Sequence, residues 1–201
     1  MTHNDLAQLV TRADPFSASG WLFELSYDGC RCLCLREEDA SLLSRRGDDL
    51  SRAFPEVIGD LLQLPPGTAL DGELVILDRR GYPDPRALHS RKELKDEREI
   101  ARAALSHPAS VIAWDILTLS GKDLRALTLL RRKTVLHRAV QSLSRVCFAR
   151  HVSGDGESMY ALAQSEGLGG IVAKRADSPY KAGPTQDWLR IRIAQRSARA
   201  H

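Results

Sequence analysis

The sequence predicts a single α+β domain whose strands pair mainly antiparallel. Its 201 residues, 43% hydrophobic and 27% charged, are enough for one well-buried core and are unlike a coiled coil or a disordered chain. Short β-type runs alternate along the chain with stretches of helical spacing, and Gly and Pro turns separate them. We find no internal repeat, low-complexity tract or linker, which favours one domain over two.

The first third of the chain predicts a lead-in, three strands and a helix. Residues 1–20 are polar and predict an irregular lead-in to the domain. Strands are expected at 21–26, 30–35 and 40–44, with a turn at Tyr27-Asp28-Gly29. Within Ser51–Leu64 apolar residues recur at helical spacing, and Pro65 ends the predicted helix.

Strands and helices continue to alternate in the remaining two thirds. Strands are expected at 68–77, 110–119, 145–149, 170–174 and 188–193, and helices at 86–106 (one or two), 128–143 and 157–166. The domain is therefore assigned to residues 21–193. A basic tail, 194–201, follows it.

The composition excludes several classes of protein. No apolar run approaches the roughly 20 residues that span a bilayer, and the N-terminus lacks the pattern of a secretion signal, so we expect a soluble, cytoplasmic protein without a membrane partner. The net charge of +3 does not by itself indicate nucleic-acid binding, although 23 of the 29 basic residues are arginine, which suits phosphate.

The four cysteines predict neither disulfides nor a zinc site. Cys30, Cys32 and Cys34 alternate on one expected strand, so they share one face, and Cys147 lies far away in sequence. We expect small buried side chains, with a thiol metal clip as the alternative. Their role is not defined by the sequence.

Five segments combine charged residues, glycines and aromatic residues in a way that suggests chemistry. They are Glu24–Arg31, Leu70–Ile76, Ala113–Leu117, Glu166–Arg175 and Asp187–Arg192. Taken singly, each has an ordinary explanation as a turn, a core strand or a solvated face. In this order, however, they resemble the adenylation domain of ATP-dependent DNA ligases, most of all the ligase module of bacterial end-joining ligases. The resemblance extends from Trp21 to Arg192.

The resemblance implies a nucleotidyltransferase fold, with two antiparallel sheets flanked by helices in an ATP-grasp-like arrangement. ATP lies in the groove between the sheets of such enzymes. A lysine attacks its α-phosphate with the help of Mg²⁺, and the AMP then passes to the 5′-phosphate of a DNA nick. ATP and Mg²⁺ are therefore the cofactors that the resemblance implies.

The sequence departs from the family pattern at three motifs. The first motif of the family reads Lys-x-Asp-Gly-x-Arg, and Ser26 stands at the position of the nucleophilic lysine. Gly169 stands where the fourth motif has a metal-binding glutamate. Arg190 and Arg192 replace the lysines of the fifth motif, which keeps the charge but changes its shape.

Other positions match, and the resemblance assigns them to a nucleotide pocket. Glu24 and Trp114 match positions that frame the adenine, where an aromatic ring stacks on the base. Arg31, Arg45 and Glu73 match positions that hold ribose and phosphate, with Glu73 also the remaining metal ligand. The phosphates would be met by Lys174, Arg190 and Arg192.

These observations together predict a catalytically degenerate adenylation domain. It would bind ATP or AMP and would contact nicked or broken DNA only weakly, because the sequence ends at His201 without the OB-fold domain that clamps DNA in such ligases. End-joining proteins are possible partners. One alternative is an active ligase fragment that uses Lys174 or Lys122, or an OB domain from another chain. A second alternative is an interaction protein of DNA repair that uses no nucleotide.

Overall fold

Two β-sheets face each other in the computed structural model, which describes residues 2, 6–12 and 14–193. In chain order the elements are β1 (Ala7–Arg12), β2 (Trp21–Ser26), β3 (Cys30–Arg36), β4 (Ala40–Ser44), α1 (Pro55–Leu61), β5 (Thr68–Ile76), α2 (Pro85–Glu93), α3 (Glu97–Ser106), β6 (Ala109–Leu119), β7 (Lys122–Asp123), α4 (Leu129–Val140), β8 (Val146–Phe148), β9 (His151–Ser153), α5 (Gly156–Ser165), β10 (Gly170–Arg175) and β11 (Gly183–Arg192). The α+β class and the paired sheets expected from the sequence are confirmed. The predicted basic tail, 194–201, lies outside the described residues.

The first sheet, sheet A, has the strand order β1–β11–β10–β2–β9. Strands β2, β10 and β11 pair antiparallel, as expected, but β1 lies parallel to β11 at the edge. The prediction of an irregular lead-in is therefore wrong for residues 7–12, where Ala7 is buried against the rest of the domain. The signal was hidden because the partner of β1 lies more than 170 residues away in sequence, and local patterns do not report such pairing.

The second sheet, sheet B, has the order β4–β3–β5–β6–β7, with β8 parallel to β6. Cys32 and Cys34 lie on the outer face of β3, in the apolar core under the helices, and Cys30 and Cys147 are half-buried. All four described cysteines are free thiols, as the sequence predicts. Their neighbours on β3, Arg31 and Leu33, point to the opposite face, toward sheet A.

Helix α1 is shorter than its apolar spacing predicts. A short 3₁₀ turn, Ser51–Ala53, precedes it, and the helix itself begins at Pro55, because proline is tolerated in the first turn of a helix but not in its interior. Phe54 and Leu61 are buried, as expected, whereas Leu62 is 46% exposed. The prediction of a continuous helix over Ser51–Leu64 is thus wrong at both ends.

The helices cover the outer faces of the two sheets and leave the inner faces to each other. Helix α5 packs on sheet A through the core that contains Phe23 and Ile171, and helices α1, α2 and α4 pack on sheet B. Since side chains alternate along each strand, every second residue of the inner strands points into the space between the sheets. None of the helices in the described part of the chain is long and apolar enough to cross a bilayer.

Candidate functional site

A cavity of about 180 Å³ lies between the inner faces of the two sheets. It is lined by Thr11, Glu24, Leu25, Ser26, Arg31, Arg45, Glu73, Trp114, Val172, Lys174, Trp188, Arg190 and Arg192. The fold thus brings together all eight residues assigned above to a nucleotide pocket, with Ser26 among them. Gly169 does not line this cavity; it lines a neighbouring groove with Tyr27 and Asp28.

Two rows of residues on sheet A form one wall of the cavity. The register places Arg190, Val172 and Glu24 side by side, each on a different strand. The next row holds Arg192, Gly170 and Ser26. A Cβ atom on Gly170 would lie 2.1 Å from the backbone oxygen of Ile191, so this position accepts no side chain and none stands between Ser26 and Arg192.

The carboxylate of Glu24 is held by two lysines. Lys174 Nζ donates to Glu24 Oε2 at 2.7 Å, and Lys133 Nζ donates to Glu24 Oε1 and, at 2.9 Å, to the carbonyl oxygen of Ala149. All three charged side chains are buried. Burial by itself raises the pKa of Glu24, but the two lysines outweigh it and hold that pKa below its ordinary value.

Lys174 is an amine in an unusual environment. Its Nζ lies 4.1 Å from the ring centroid of Trp188 and 5.1 Å from that of Trp114. Burial lowers the pKa of Lys174, Lys133 lowers it further, and Glu24 acts in the opposite direction. Because Glu24 is shared, one carboxylate pairs with two ammonium groups, and the group of three carries one net positive charge.

The guanidinium of Arg31 already has partners within the protein. It makes a two-pronged ion pair with Asp71, with Nε at 3.0 Å from Oδ1 and Nη2 at 2.6 Å from Oδ2, and it also donates to the carbonyl oxygen of Ala7. The hydroxyl of Tyr180 donates to Asp71 at 2.8 Å. Asp71, a buried carboxylate in the apolar strand Leu70–Ile76, therefore has hydrogen-bond donors for both of its oxygens.

Glu73 links sheet B to the first motif. Its Oε1 accepts the backbone N–H of Gly29 at 2.9 Å, and its Oε2 accepts that of Tyr27 at 3.4 Å. A Cβ on Gly29 would lie 2.3 Å from the backbone oxygen of Leu74, so the motif needs glycine there. Burial raises the pKa of Glu73 despite these hydrogen bonds and the nearby charge of Arg190.

The space beside Gly169 is occupied by Asp28. A Cβ on Gly169 would lie 1.8 Å from Asp28 Oδ2, and Asp28 itself adopts a left-handed backbone with φ of 52°. The carboxylate of Asp28 therefore fills the position that a side chain at residue 169 would enter. Both residues line the neighbouring groove and not the cavity.

Two buried donors in the cavity wall have no hydrogen-bond partner among the described residues. They are Nε1 of Trp114 and Nε of Arg190. Leaving a buried donor unsatisfied costs about 1–3 kcal/mol, so such atoms usually indicate a missing acceptor. Within the part of the chain that the structure describes, Arg45, Arg190 and Arg192 also form no ion pair with a carboxylate.

The donor set of the cavity is poor for Mg²⁺. Mg²⁺ binds carboxylate oxygens and substrate phosphates, and the cavity contains two carboxylates, Glu24 and Glu73. Both oxygens of Glu24 are taken by lysines, and both oxygens of Glu73 accept backbone N–H groups. The described residues contain no group of three or more His, Cys, Asp or Glu side chains placed to hold a metal ion. The residues present therefore do not fit the magnesium site that the resemblance implies.

Sequence reasoning missed Lys133. It lies on α4 between Leu129 and Leu136, at the spacing of the buried face of that helix. A charged residue on an apolar stripe was the available signal, because such a residue needs a buried partner of opposite charge. Lys122, by contrast, is exposed on β7 and does not line the cavity.

Comparison with known proteins agrees with the fold and the cavity, which define an adenylation domain of the DNA ligase type. Residues 5–192 match the family described as "ATP dependent DNA ligase domain". The chain belongs to this family.

Two relatives illustrate the relationship. The chain is 34% identical over 177 residues to DNA ligase C1 of Mycolicibacterium smegmatis, which covers 84% of this chain and 50% of the relative. It is 30% identical over 181 residues to the multifunctional non-homologous end joining protein LigD of Pseudomonas aeruginosa, covering 88% of this chain and 20% of the relative. The chain thus spans half or less of the length of these two relatives.

Solved structures show the same fold. The ligase domain of LigD from M. tuberculosis superposes with a TM-score of 0.73 at 23% identity, over 96% of this chain and 62% of that one. A mycobacterial DNA ligase D complexed with ATP and MES gives a TM-score of 0.69 at 24% identity, over 94% and 60% of the two chains.

Proposed function

We propose that this domain binds ATP or AMP in the cavity without becoming covalently adenylated, and that it acts in this form in DNA repair or end joining. The family reaction starts with a lysine nucleophile, and Ser26 stands at that position. A serine hydroxyl needs an adjacent base to become a nucleophile. The nearest acid on the same strand, Glu24, is bound by two lysines and does not serve as that base.

The observation that carries nucleotide binding is the pair of unsatisfied donors in the cavity wall. Trp114 offers a half-buried ring, and stacking of a base on such a ring contributes about 1–3 kcal/mol. Arg190 offers a buried N–H that suits a phosphate oxygen. A nucleotide carries both partners in one molecule.

The test is the intact mass of the purified protein after incubation with ATP and Mg²⁺, together with its melting temperature with and without ATP. We expect no gain in mass and a raised melting temperature, because a ligand that binds only the folded state stabilises it. A gain of one adenylyl group would contradict the non-covalent proposal. An unchanged melting temperature would instead favour an interaction protein that uses no nucleotide.

The missing nucleophile can be put back. We expect Ser26→Lys alone to adenylate poorly, and Ser26→Lys with Gly169→Glu to adenylate better, since the second change restores the metal carboxylate. The side chain of Asp28 occupies the space beside Gly169, so it must rotate to admit a glutamate at residue 169. Efficient adenylation by Ser26→Lys alone would show that Gly169 is not limiting, and Ser26→Ala serves as the inactive control.

One observation favours an active enzyme as the second candidate. Lys174 lies in the cavity, and its lowered pKa increases the fraction of neutral amine, which is the nucleophilic form. Its Nζ is nevertheless bonded to Glu24. If the mass experiment shows an adenylyl group, loss of that group in Lys174→Met would identify this residue.

Binding to nicked or broken DNA and to end-joining proteins is part of the proposal. The relatives that match this chain include named end-joining proteins, which supports that setting. We expect weak binding to nicked duplex that decreases steeply with salt, measured by fluorescence anisotropy. Binding that does not change with salt would contradict a phosphate-based contact.

A further inference from the structure

The outer half of the cavity holds more positive charge than the protein neutralises. Arg45, Arg190 and Arg192 line it, and no carboxylate of the described residues lies within ion-pair distance of any of them. Glu24 does not balance them, because it already serves two lysines, and Arg31 is matched by Asp71. Glu73 is the one remaining acid among the cavity-lining residues.

Arg192 lies in the row from which the family lysine is missing. Ser26 and Arg192 flank Gly170, so their backbones are about 10 Å apart, two strand spacings. Gly170 places no side chain between them, because a Cβ there would meet the backbone of Ile191. Both residues line the cavity, so the charge of Arg192 lies on the same wall as the position from which the lysine is missing.

Glu73 is a weak candidate for a metal ligand in this setting. Its two oxygens already accept the backbone N–H groups of Tyr27 and Gly29. A divalent cation at Glu73 would also be repelled by Arg190, whose charge already acts on that carboxylate. Guanidinium groups, in contrast, match phosphate oxygens in shape and charge without a metal.

We infer that the cavity binds the polyphosphate of its nucleotide without a divalent cation, with Arg45, Arg190 and Arg192 in the place of the metal and the lysine. This inference rests on the proposed function, because it concerns how the same cavity holds its nucleotide. It departs from the metal dependence that the family resemblance implies. Free ATP, which carries more negative charge than its magnesium complex, is the preferred ligand.

The test is calorimetric titration of the protein with ATP in EDTA and in excess Mg²⁺ at equal ionic strength. We expect binding in EDTA to be at least as tight as in Mg²⁺. Weaker binding in EDTA, or binding in Mg²⁺ alone, would overturn the inference while leaving the proposed nucleotide binding in place. Absence of binding in both buffers would overturn the proposed function, and the inference with it.

Variants distinguish the contribution of the cavity arginines to ATP binding from that of the protein's overall positive charge. In EDTA, Arg45→Gln should weaken ATP binding about ten- to a hundredfold, the effect of losing a hydrogen bond to a charged group. Arg46→Gln is the matched control, because Arg46 is the exposed neighbour of Arg45 and does not line the cavity. Equal losses in the two variants would contradict a role for Arg45 in the cavity.

The variant Glu73→Gln has opposite expected effects on ATP binding under the two explanations, a metal at Glu73 or phosphates held by the arginines. If Glu73 holds a metal, this variant loses ATP binding in Mg²⁺. If the arginines hold the phosphates, removal of the negative charge tightens ATP binding in EDTA. Circular dichroism and the melting temperature establish whether the variant is folded. If it is unfolded, the comparison of Arg45→Gln with Arg46→Gln tests the inference instead.

Discussion

The inner and outer halves of the cavity differ in how their charges are balanced. In the inner half, Glu24, Arg31 and Lys174 each have a partner of opposite charge, and Lys133, which does not line the cavity, also pairs with Glu24. In the outer half, Arg45, Arg190 and Arg192 have no acidic partner in the described residues, and Nε of Arg190 lacks even a hydrogen-bond acceptor. The comparison separates side chains that stabilise the fold from side chains that remain available to a ligand.

The largest expected effect is the loss of a partner in the inner half. Lys133→Met should lower the free energy of unfolding by about 3 kcal/mol, because it leaves Glu24 Oε1 and the carbonyl oxygen of Ala149 without their buried donor. Urea unfolding measures this. Arg138→Met, on the exposed side of the same helix, is the control and should change stability by about 0.5 kcal/mol or less. Similar losses of stability in the two variants would contradict a specific stabilising role for Lys133.

The outer half should show the reverse behaviour. Arg190→Gln should leave the free energy of unfolding within about 0.5 kcal/mol of the original and weaken ATP binding by about 2 kcal/mol, roughly thirtyfold. Calorimetry and urea unfolding on the same preparation measure both quantities. A variant that loses stability but keeps its ATP affinity would place Arg190 with the inner group.

The pH dependence of stability tests the Glu24 ion pairs. Because the folded pKa of Glu24 lies below its ordinary value of 4.5, its ionised form stabilises the protein above that pH, and this contribution is lost as the pH falls through the folded pKa. The stability difference between the original protein and Glu24→Gln should therefore shrink in acid. A difference that stays constant from pH 7 down to acid would rule out this role of the carboxylate.

The smallest effect is expected at Gly169. Gly169→Ala requires Asp28 to move, but the atoms in the way are the end of a flexible side chain, so stability should change by about 1 kcal/mol or less. ATP binding should be unchanged, because residue 169 does not line the cavity. Adding Asp28→Gly, which tolerates the left-handed backbone of residue 28, should remove any cost, and a persistent cost in the double variant would point to the backbone of residue 169 instead.

Much of the fold could be predicted from local sequence patterns, and the predictions that failed did so for identifiable reasons. The inner strands followed from alternation, and α4 and α5 followed from helical spacing and lie close to their expected bounds. Strand β1 was missed because it pairs with a strand at the other end of the chain. Helix α1 was predicted too long because apolar spacing ignored the effect of Pro55 on the residues before it.

The candidate site was predictable as a set of positions but not as a set of charges. Motif order placed Glu24, Arg31, Glu73, Trp114 and Lys174 in one pocket, and the fold brings them to one cavity. It did not indicate that Lys133 takes one oxygen of Glu24, or that Asp28 fills the space beside Gly169. Both contacts join residues that no local pattern relates.

The sequence by itself determined the family resemblance, the alternation that turns Arg190 and Arg192 toward the same face, and the serine at residue 26. The tertiary structure alone decided which of the charges are neutralised. The physical reason is that ion pairs act over a few ångströms and ignore sequence distance: Lys133 meets Glu24 across 109 residues, and Lys174 meets it across 150. The guanidinium groups of Arg45, Arg190 and Arg192, which have no acidic partner among the described residues, are those that the proposed function assigns to the nucleotide.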